Sequence, residues 1–165
     1  QFSYAKLGQV IAAIKKLGFH SVVEVALGAD MVAYSEAAEL AEKGFLTSSC
    51  CPAFVDYIHK KFPQMVEHIS HNLSPMGTIG KYIKGIDPTA KIVFIGPCTA
   101  KKMEFQKESV SPYIDSVLTF EELRRCLTAG IWKSPNWKKT CWITLLITGV
   151  FLPDPAACPM RWFRH

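Results

Sequence analysis

Tryptophan is absent from the first 131 residues of this 165-residue chain; Trp132, Trp137, Trp142 and Trp162 all fall in the remainder. Excess charge is absent there too. Residues 1–131 hold 14 Lys and Arg against 13 Asp and Glu, a net of +1, while residues 132–165 hold 5 against 1. The pI near 8.9 is thus carried by the tail, and the near-neutral body offers no nucleic-acid patch. No basic-then-apolar leader opens the sequence, which leaves a cytoplasmic location as the expectation. The apolar run from Cys141 to Leu152 is too short for a membrane span, and a buried strand or helix is its structural alternative. Internal repeats and low-complexity segments are missing as well. What is left is the length for one modest core, hence one domain.

Six cysteines are present. In a chain without a leader they point to metal or redox chemistry before a disulfide framework. Two of them, Cys50 and Cys51, stand between Gly44-Phe45-Leu46, which reads as a short buried strand, and Val55 to Phe62, which reads as a helix. Pro52 suits the first helical position, and Ser48 or Ser49 can cap. Thiols facing the positive end of a helix dipole favour thiolate, the form that ligates metals. Adjacent cysteines are explained equally well as buried small hydrophobes.

A second turn of the same kind follows Lys91-Ile92-Val93-Phe94-Ile95, a continuous apolar run typical of a buried parallel strand. Gly96-Pro97-Cys98 leads from it into a helix start at Thr99 to Glu104. Sites in open α/β sheets form beyond the carboxyl ends of the strands. Cys50, Cys51 and Cys98 could therefore converge on one soft ligand: an iron–sulfur cluster, zinc or copper(I).

Elsewhere, Leu7, Val10, Ile11 and Ile14 make a helical stripe that ends at Gly18. Ser21 to Leu27 reads as a strand closed by Gly28, and Asp30 to Lys43 as a helix stopped by Gly44. Pro63 to His71 and Pro75 to Lys84 read as two helical pieces. Ile114 to Leu118 reads as a strand, with Thr119-Phe120-Glu121-Glu122 capping a helix to about Ala129. Alternating helix and strand predict an α/β fold with a mainly parallel sheet flanked by helices. Glu36 and Glu39 share a helix face at i,i+3 spacing, as solvated pairs commonly do. Lys101 and Glu104 would be ordinary charges on an exposed helix start. His68 and His71 could join Cys50 or Cys98 at zinc, or lie on a solvated face. Cys126 has no motif and reads as structural.

Ser49-Cys50-Cys51-Pro52-Ala53-Phe54 and Gly96-Pro97-Cys98-Thr99-Ala100-Lys101-Lys102-Met103-Glu104 closely resemble the first two signature motifs of iron-only (FeFe) hydrogenase catalytic domains. Their order and separation match, and Ile69-Ser70 and Ser74-Pro75 fall at the expected places between them. The resemblance covers about Gln1 to Ile131. It implies one lobe of that catalytic domain, whose parent reversibly reduces protons to H2 with electrons from ferredoxin-like donors or attached ferredoxin domains. Cys51 and Cys98 match two of the four thiolates around a 4Fe-4S cubane, and Cys50 the proton-shuttling thiol beside a two-iron subsite. Lys101 matches the lysine that binds the cyanide and dithiolate end of that subsite, with Glu104 orienting it. Cys50, Glu36, Ser70 and Glu39 match a proton path to solvent. Ser49, Pro75 and Pro97 match cofactor-binding positions.

The sequence departs from the family pattern in three respects. It starts after the family's first strand and small-residue loop. Gly96 and Met76 stand where many proton-reducing members carry Met and Gln, and Pro-Ala-Phe resembles sensory or divergent branches. The third signature motif, source of the other two cubane cysteines, is absent; Cys141 and Cys158 lack its glycine-rich surroundings. The expectation is that this chain alone binds no stable H-cluster and is inactive. A non-catalytic 4Fe-4S binding or redox- or H2-sensing module on the same scaffold is the alternative. Residues 132–165 are expected to be an aberrant tail, out of frame from about Trp132 and lacking the sheet's hydrophobic pattern. At this distance the family continues with something like GRIFARSGGLSDAV, and codons permitted for Gly149 to Trp162 can give it in another frame.

Overall fold

The computed structural model describes residues 6–129 and 141–145. At its centre runs β2, Lys91–Gly96, buried from Ile92 onward. Side chains alternate across a strand, and the core divides accordingly. Ile92 and Phe94 pack with Met76, Ile79 and Ile83 on one face; Val93 and Ile95 pack with Ile14, Phe19 and Leu123 on the other. The elements in chain order are α1 (Leu7–Lys16), β1 (Ser21–Glu24), α2 (Ala26–Lys43), α3 (Pro52–Lys61), a 3-10 turn (Pro63–His68), α4 (Pro75–Ile86), β2, α5 (Lys101–Glu104), β3 (Ser116–Thr119), α6 (Phe120–Ala129) and β4 (Cys141–Leu145).

The four strands lie in the order β1-β4-β2-β3, and every pairing is parallel. The α/β fold with a parallel sheet flanked by helices is as expected. Gly96 stands level with Thr119 across β2 and β3, so the Cys98 turn and the start of α6 leave the same edge. Thr119 and Glu122 close a reciprocal cap there: Glu122 N donates to Thr119 Oγ1 at 3.2 Å and Thr119 N to Glu122 Oε2 at 2.8 Å.

Four expectations need correction. The first strand stops at Glu24, because Ala26, Leu27 and Gly28 already belong to α2. A Cβ on Gly28 would fall on the carbonyl oxygen of Pro75, so the missing side chain lets α2 seat on α4. Gly44-Phe45-Leu46 is not a strand. Gly44 ends α2 at φ 74°, a conformation glycine takes without steric cost. Phe45 is then half exposed, and Thr47 alone pairs, in a parallel bridge to Ile69. The piece from Pro63 is a 3-10 turn ending at His68. The run beginning at Cys141, in the tail expected to lack the sheet's hydrophobic pattern, takes its strand alternative between β1 and β2. The remainder of residues 132–165, Cys158 included, lies outside the described residues after residue 145 and before residue 141. Among the described residues no helix is long and apolar enough to cross a membrane.

Candidate functional site at the two cysteine turns

The bridge at Thr47 assembles the site. Thr47 N donates to His68 O at 2.7 Å and Ser70 N to Thr47 O at 2.8 Å, which lays residues 48–50 beside residues 70–72. Ser48 Oγ then donates to Glu36 Oε1 at 2.8 Å and accepts from Cys50 N at 3.2 Å. Ser49 N donates to the same Glu36 oxygen at 3.3 Å, and Ser49 Oγ to Asn72 O at 2.6 Å. Both serines are thus committed to the turn, and neither caps α3. Cys51 holds the N-cap position with extended backbone, and Pro52 follows at the first helical position.

Cys50 and Cys51 are exposed and Cys98 is half-buried; all three are free thiols. The reading of Cys50 and Cys51 as buried small hydrophobes therefore fails. Lys101 joins the two turns. It is 6% exposed, as is Glu104, and its Nζ donates to Glu104 Oε2 at 2.6 Å and to the carbonyl oxygen of Cys50 at 3.1 Å. These are not the solvated charges of an exposed helix start: a buried ion pair stands only where its geometry offsets desolvation. Pro97 is exposed between β2 and Cys98. Pro75 opens α4 behind the Ser74 cap, whose Oγ accepts from Gly77 N at 3.4 Å.

Glu39 lies one turn along α2 from Glu36 and has a richer set of partners. Lys43 Nζ donates to its Oε1 at 2.8 Å, and Ser70 Oγ to its Oε2 at 2.9 Å. His71 offers its backbone N–H at 3.2 Å and its ring Nδ1 at 2.8 Å. Asn72 Nδ2 donates to Oε2 at 3.1 Å. The Lys43 ammonium, helped by Ser70 and His71, holds the carboxyl at a pKa of about 2, against the opposing effect of burial.

Of the expected path, Ser70 and Glu39 are in direct contact. Among the described residues no hydrogen bond links Glu36 to Ser70 or to the Cys50 thiol. Ser48 Oγ joins Glu36 to the backbone N–H of Cys50, while Ser49 donates its N–H to Glu36 and its Oγ to Asn72 O, with Asn72 Nδ2 donating to Ser70 Oγ at 2.9 Å. Sequence reasoning missed Asn72 and Lys43 and used Ser48 only as a cap. Their signal was position alone, Asn72 two residues past Ser70 and Lys43 one helical turn past Glu39. His68 sits edge-on to the Phe45 ring at 5.1 Å, and His71 is bound to Glu39. Among the described residues no group of three or more His, Cys, Asp and Glu is disposed to hold a metal ion. Cys126 is half-buried in α6.

Two free-cysteine turns tied together at the carboxyl edge of a parallel sheet define an α/β domain with a thiol-bearing edge. The chain belongs to the family described as iron only hydrogenase large subunit, C-terminal domain, which residues 2–139 match. It is 31% identical over 138 residues to iron hydrogenase 1 of Clostridium pasteurianum, covering 73% of this chain and 24% of that one. Against the periplasmic Fe hydrogenase large subunit of Nitratidesulfovibrio vulgaris it is 32% identical over 136 residues, 70% of this chain and 32% of that one. It is 36% identical over 80 residues to the cytosolic Fe-S cluster assembly factor NAR1 of Kluyveromyces lactis, 48% of this chain and 17% of that one. A cysteine-to-histidine variant of the apo FeFe-hydrogenase HydA1 of Chlamydomonas reinhardtii shares the fold, with a TM-score of 0.64 at 24% identity, over 79% of this chain and 39% of that one. The chain thus spans a third or less of the length of these curated relatives.

Proposed function

We propose that the chain is one lobe of a hydrogenase catalytic domain, whose parent works in the cytoplasm and reversibly reduces protons to H2. Its electrons come from a ferredoxin-like donor or attached ferredoxin domains. The observation that carries this reading is the Lys101 bridge: a buried ammonium, braced by Glu104, reaches from the Cys98 turn to the Cys50 turn. Cys51 and Cys98 would ligate two corners of a 4Fe-4S cluster. Lys101 would bind the anionic end of the two-iron subsite, and Ser49, Pro75 and Pro97 would line it. When bound, that group supplies electron storage and the place where the H–H bond is made or broken.

The donors present fit half of such a group: two free thiols at one edge, soft enough for iron–sulfur chemistry. The chain alone is therefore read as inactive. Its own residues move the proton. A thiol that is not a ligand can give and take one, which is the part assigned to Cys50. Glu36 is the next group assigned to the path, and Ser70, whose Oγ donates to Glu39 Oε2, hands on to that carboxylate. A second reading draws on the likeness to NAR1, 36% identical over 80 residues. In it the scaffold holds or senses an iron–sulfur cluster without turnover.

Anaerobic reconstitution with iron and sulfide, followed by a hydrogen-evolution assay, tests the first reading. The isolated chain is expected to give no turnover, and the parent to give it. In the parent, Cys50→Ala should stop turnover with the cubane signal intact, and Cys51→Ala or Cys98→Ala should lose the cluster. Robust turnover by the isolated chain would refute its assignment as an incomplete lobe. A parent that binds a cubane yet never turns over would support the second reading.

A further inference from the structure

We infer that His71 is the group through which Glu39 exchanges protons with solvent, and that Lys43 holds its ring after each transfer. The inference rests on the proton path proposed above and extends it by one residue. The His71 side chain is 80% exposed whereas that of Glu39 is 14% exposed, so the ring is the wet end of the pair. Its Nδ1 lies 2.8 Å from Glu39 Oε1 and 3.1 Å from Lys43 Nζ. Those two contacts suit opposite states of one nitrogen. A protonated Nδ1 donates to the carboxylate; a bare Nδ1 accepts from the ammonium.

The two states are the beginning and end of one inward delivery. At the start Nδ1–H points at Glu39 and Nε2 is bare toward water. A proton from water adds to Nε2 and makes the imidazolium. The Nδ1 proton then passes to Glu39 Oε1, leaving a neutral ring with Nε2–H, and Lys43 Nζ donates to the emptied Nδ1. Charge and protons balance: one enters at Nε2 and one leaves at Nδ1. Proton exchange with water resets the exposed ring. On the far side Ser70 Oγ and Asn72 Nδ2 both lie on Oε2, so the two oxygens of Glu39 face outward and inward respectively. The charged groups in contact with the ring are Glu39 and Lys43, both from α2. His59 of α3 and, from beyond β2, Glu104 and Lys107 line the same cavity of about 400 Å³.

Ring 15N and 1H spectra of the full chain read which nitrogen carries the proton. Glu39→Gln should move the neutral ring toward the Nε2–H form and Lys43→Met toward the Nδ1–H form. A tautomer ratio unmoved by both substitutions overturns the inference. In the holoenzyme, His71→Ala should slow turnover by about 100-fold, the low end of general acid–base contributions, and added imidazole should restore it. A merely structural histidine would not be rescued. Glu39→Gln should be slow and beyond rescue. Full rate in His71→Ala beside a dead Glu39→Gln overturns the role of His71; full rate in Glu39→Gln overturns the path itself.

Discussion

The ammonium of Lys101 donates to the carbonyl oxygen of Cys50 at 3.1 Å and joins two turns separated by 51 residues. Its other bond, to Glu104, is buried on both sides. Removing one member of such a pair leaves an uncompensated buried charge, a loss of roughly 3–5 kcal/mol, whereas replacing both by apolar groups is often neutral. Lys101→Met should therefore lower the urea midpoint steeply. The double substitution Lys101→Met with Glu104→Leu should recover most of the loss. Equal destabilisation by the single and the double would show that packing, and not the stranded carboxylate, sets the cost.

Much of this frame could be read directly from residues. Ile92 to Ile95 declares a strand buried on both faces because no polar residue interrupts it, and Thr119 with Glu122 declares a cap by its spacing. The Thr47–Ile69 bridge was not legible. One pair of residues has no periodicity, and Phe45 and Leu46 look like a strand until no neighbouring strand is found for them. Two further partners of Glu39 were hidden for a related reason. His71 and Asn72 are 32 and 33 residues away in sequence, and a polar turn residue carries no mark of what it will meet. The cysteine turns were legible mainly through their family motifs, since two adjacent thiols taken alone fit a core as well as a site.

Glu39 makes stability depend on pH in a defined window. Its carboxyl is lowered from 4.5 to about 2 in the folded chain, first by Lys43 and then by Ser70 and His71. A folded pKa below the unfolded one means that the unfolded chain binds the extra proton as pH falls. The contribution is thus complete above about 4.5 and lost as pH drops toward about 2. Asp115 and Glu122, lowered by Lys91 and by Lys102 respectively, add to the same slope. Unfolding free energies of wild type and Glu39→Gln should converge as the pH falls through this window. A constant gap between them would mean that the carboxylate's charge is irrelevant to its bonds.

Gly28 tests the seating of α2 on α4. An added Cβ would stand 3.0 Å from Ile79 Cβ and closer still to the Pro75 carbonyl, which is backbone and has no rotamer to escape into. Gly28→Ala should destabilise by about 1–3 kcal/mol, the usual cost of overpacking. Gly85, on the same helix α4, has nothing within 4 Å of such a Cβ. Gly85→Ala should instead be neutral or stabilise by about 0.5–1 kcal/mol. Thermal melts of the two variants side by side would settle it; parallel behaviour would mean that the α2–α4 contact is not close.

Residues 149–162, outside the described structure, are proposed to be a reading of the parent gene in the wrong frame. The family match extends to residue 139 and Cys141–Leu145 stands in the sheet, so the change of frame is placed after Leu145 and not at Trp132. Trp132, Trp137 and Trp142 then precede it, and the proposal rests on the codons. Taking each new triplet from the third base of the old one, starting in Thr148, permits G-R-I-F-A-R-S-G-G-L-S-D-A-V across Gly149 to Trp162. Met160 and Trp162 have single codons, ATG and TGG, so the end of this reading is tightly constrained. The triplet across Pro159 and Met160 gives Asp only if the Pro159 codon ends in G. The next begins with the G of ATG and gives Ala only if the Arg161 codon begins CG. The third gives Val only if that Arg161 codon ends in G. Sequencing the source DNA should therefore find CCG at Pro159 and CGG at Arg161. Other codons at these positions would take Asp, Ala or Val out of the alternative frame, and codons across Gly149 to Trp162 that do not give the family motif one base over would return these residues to the native reading.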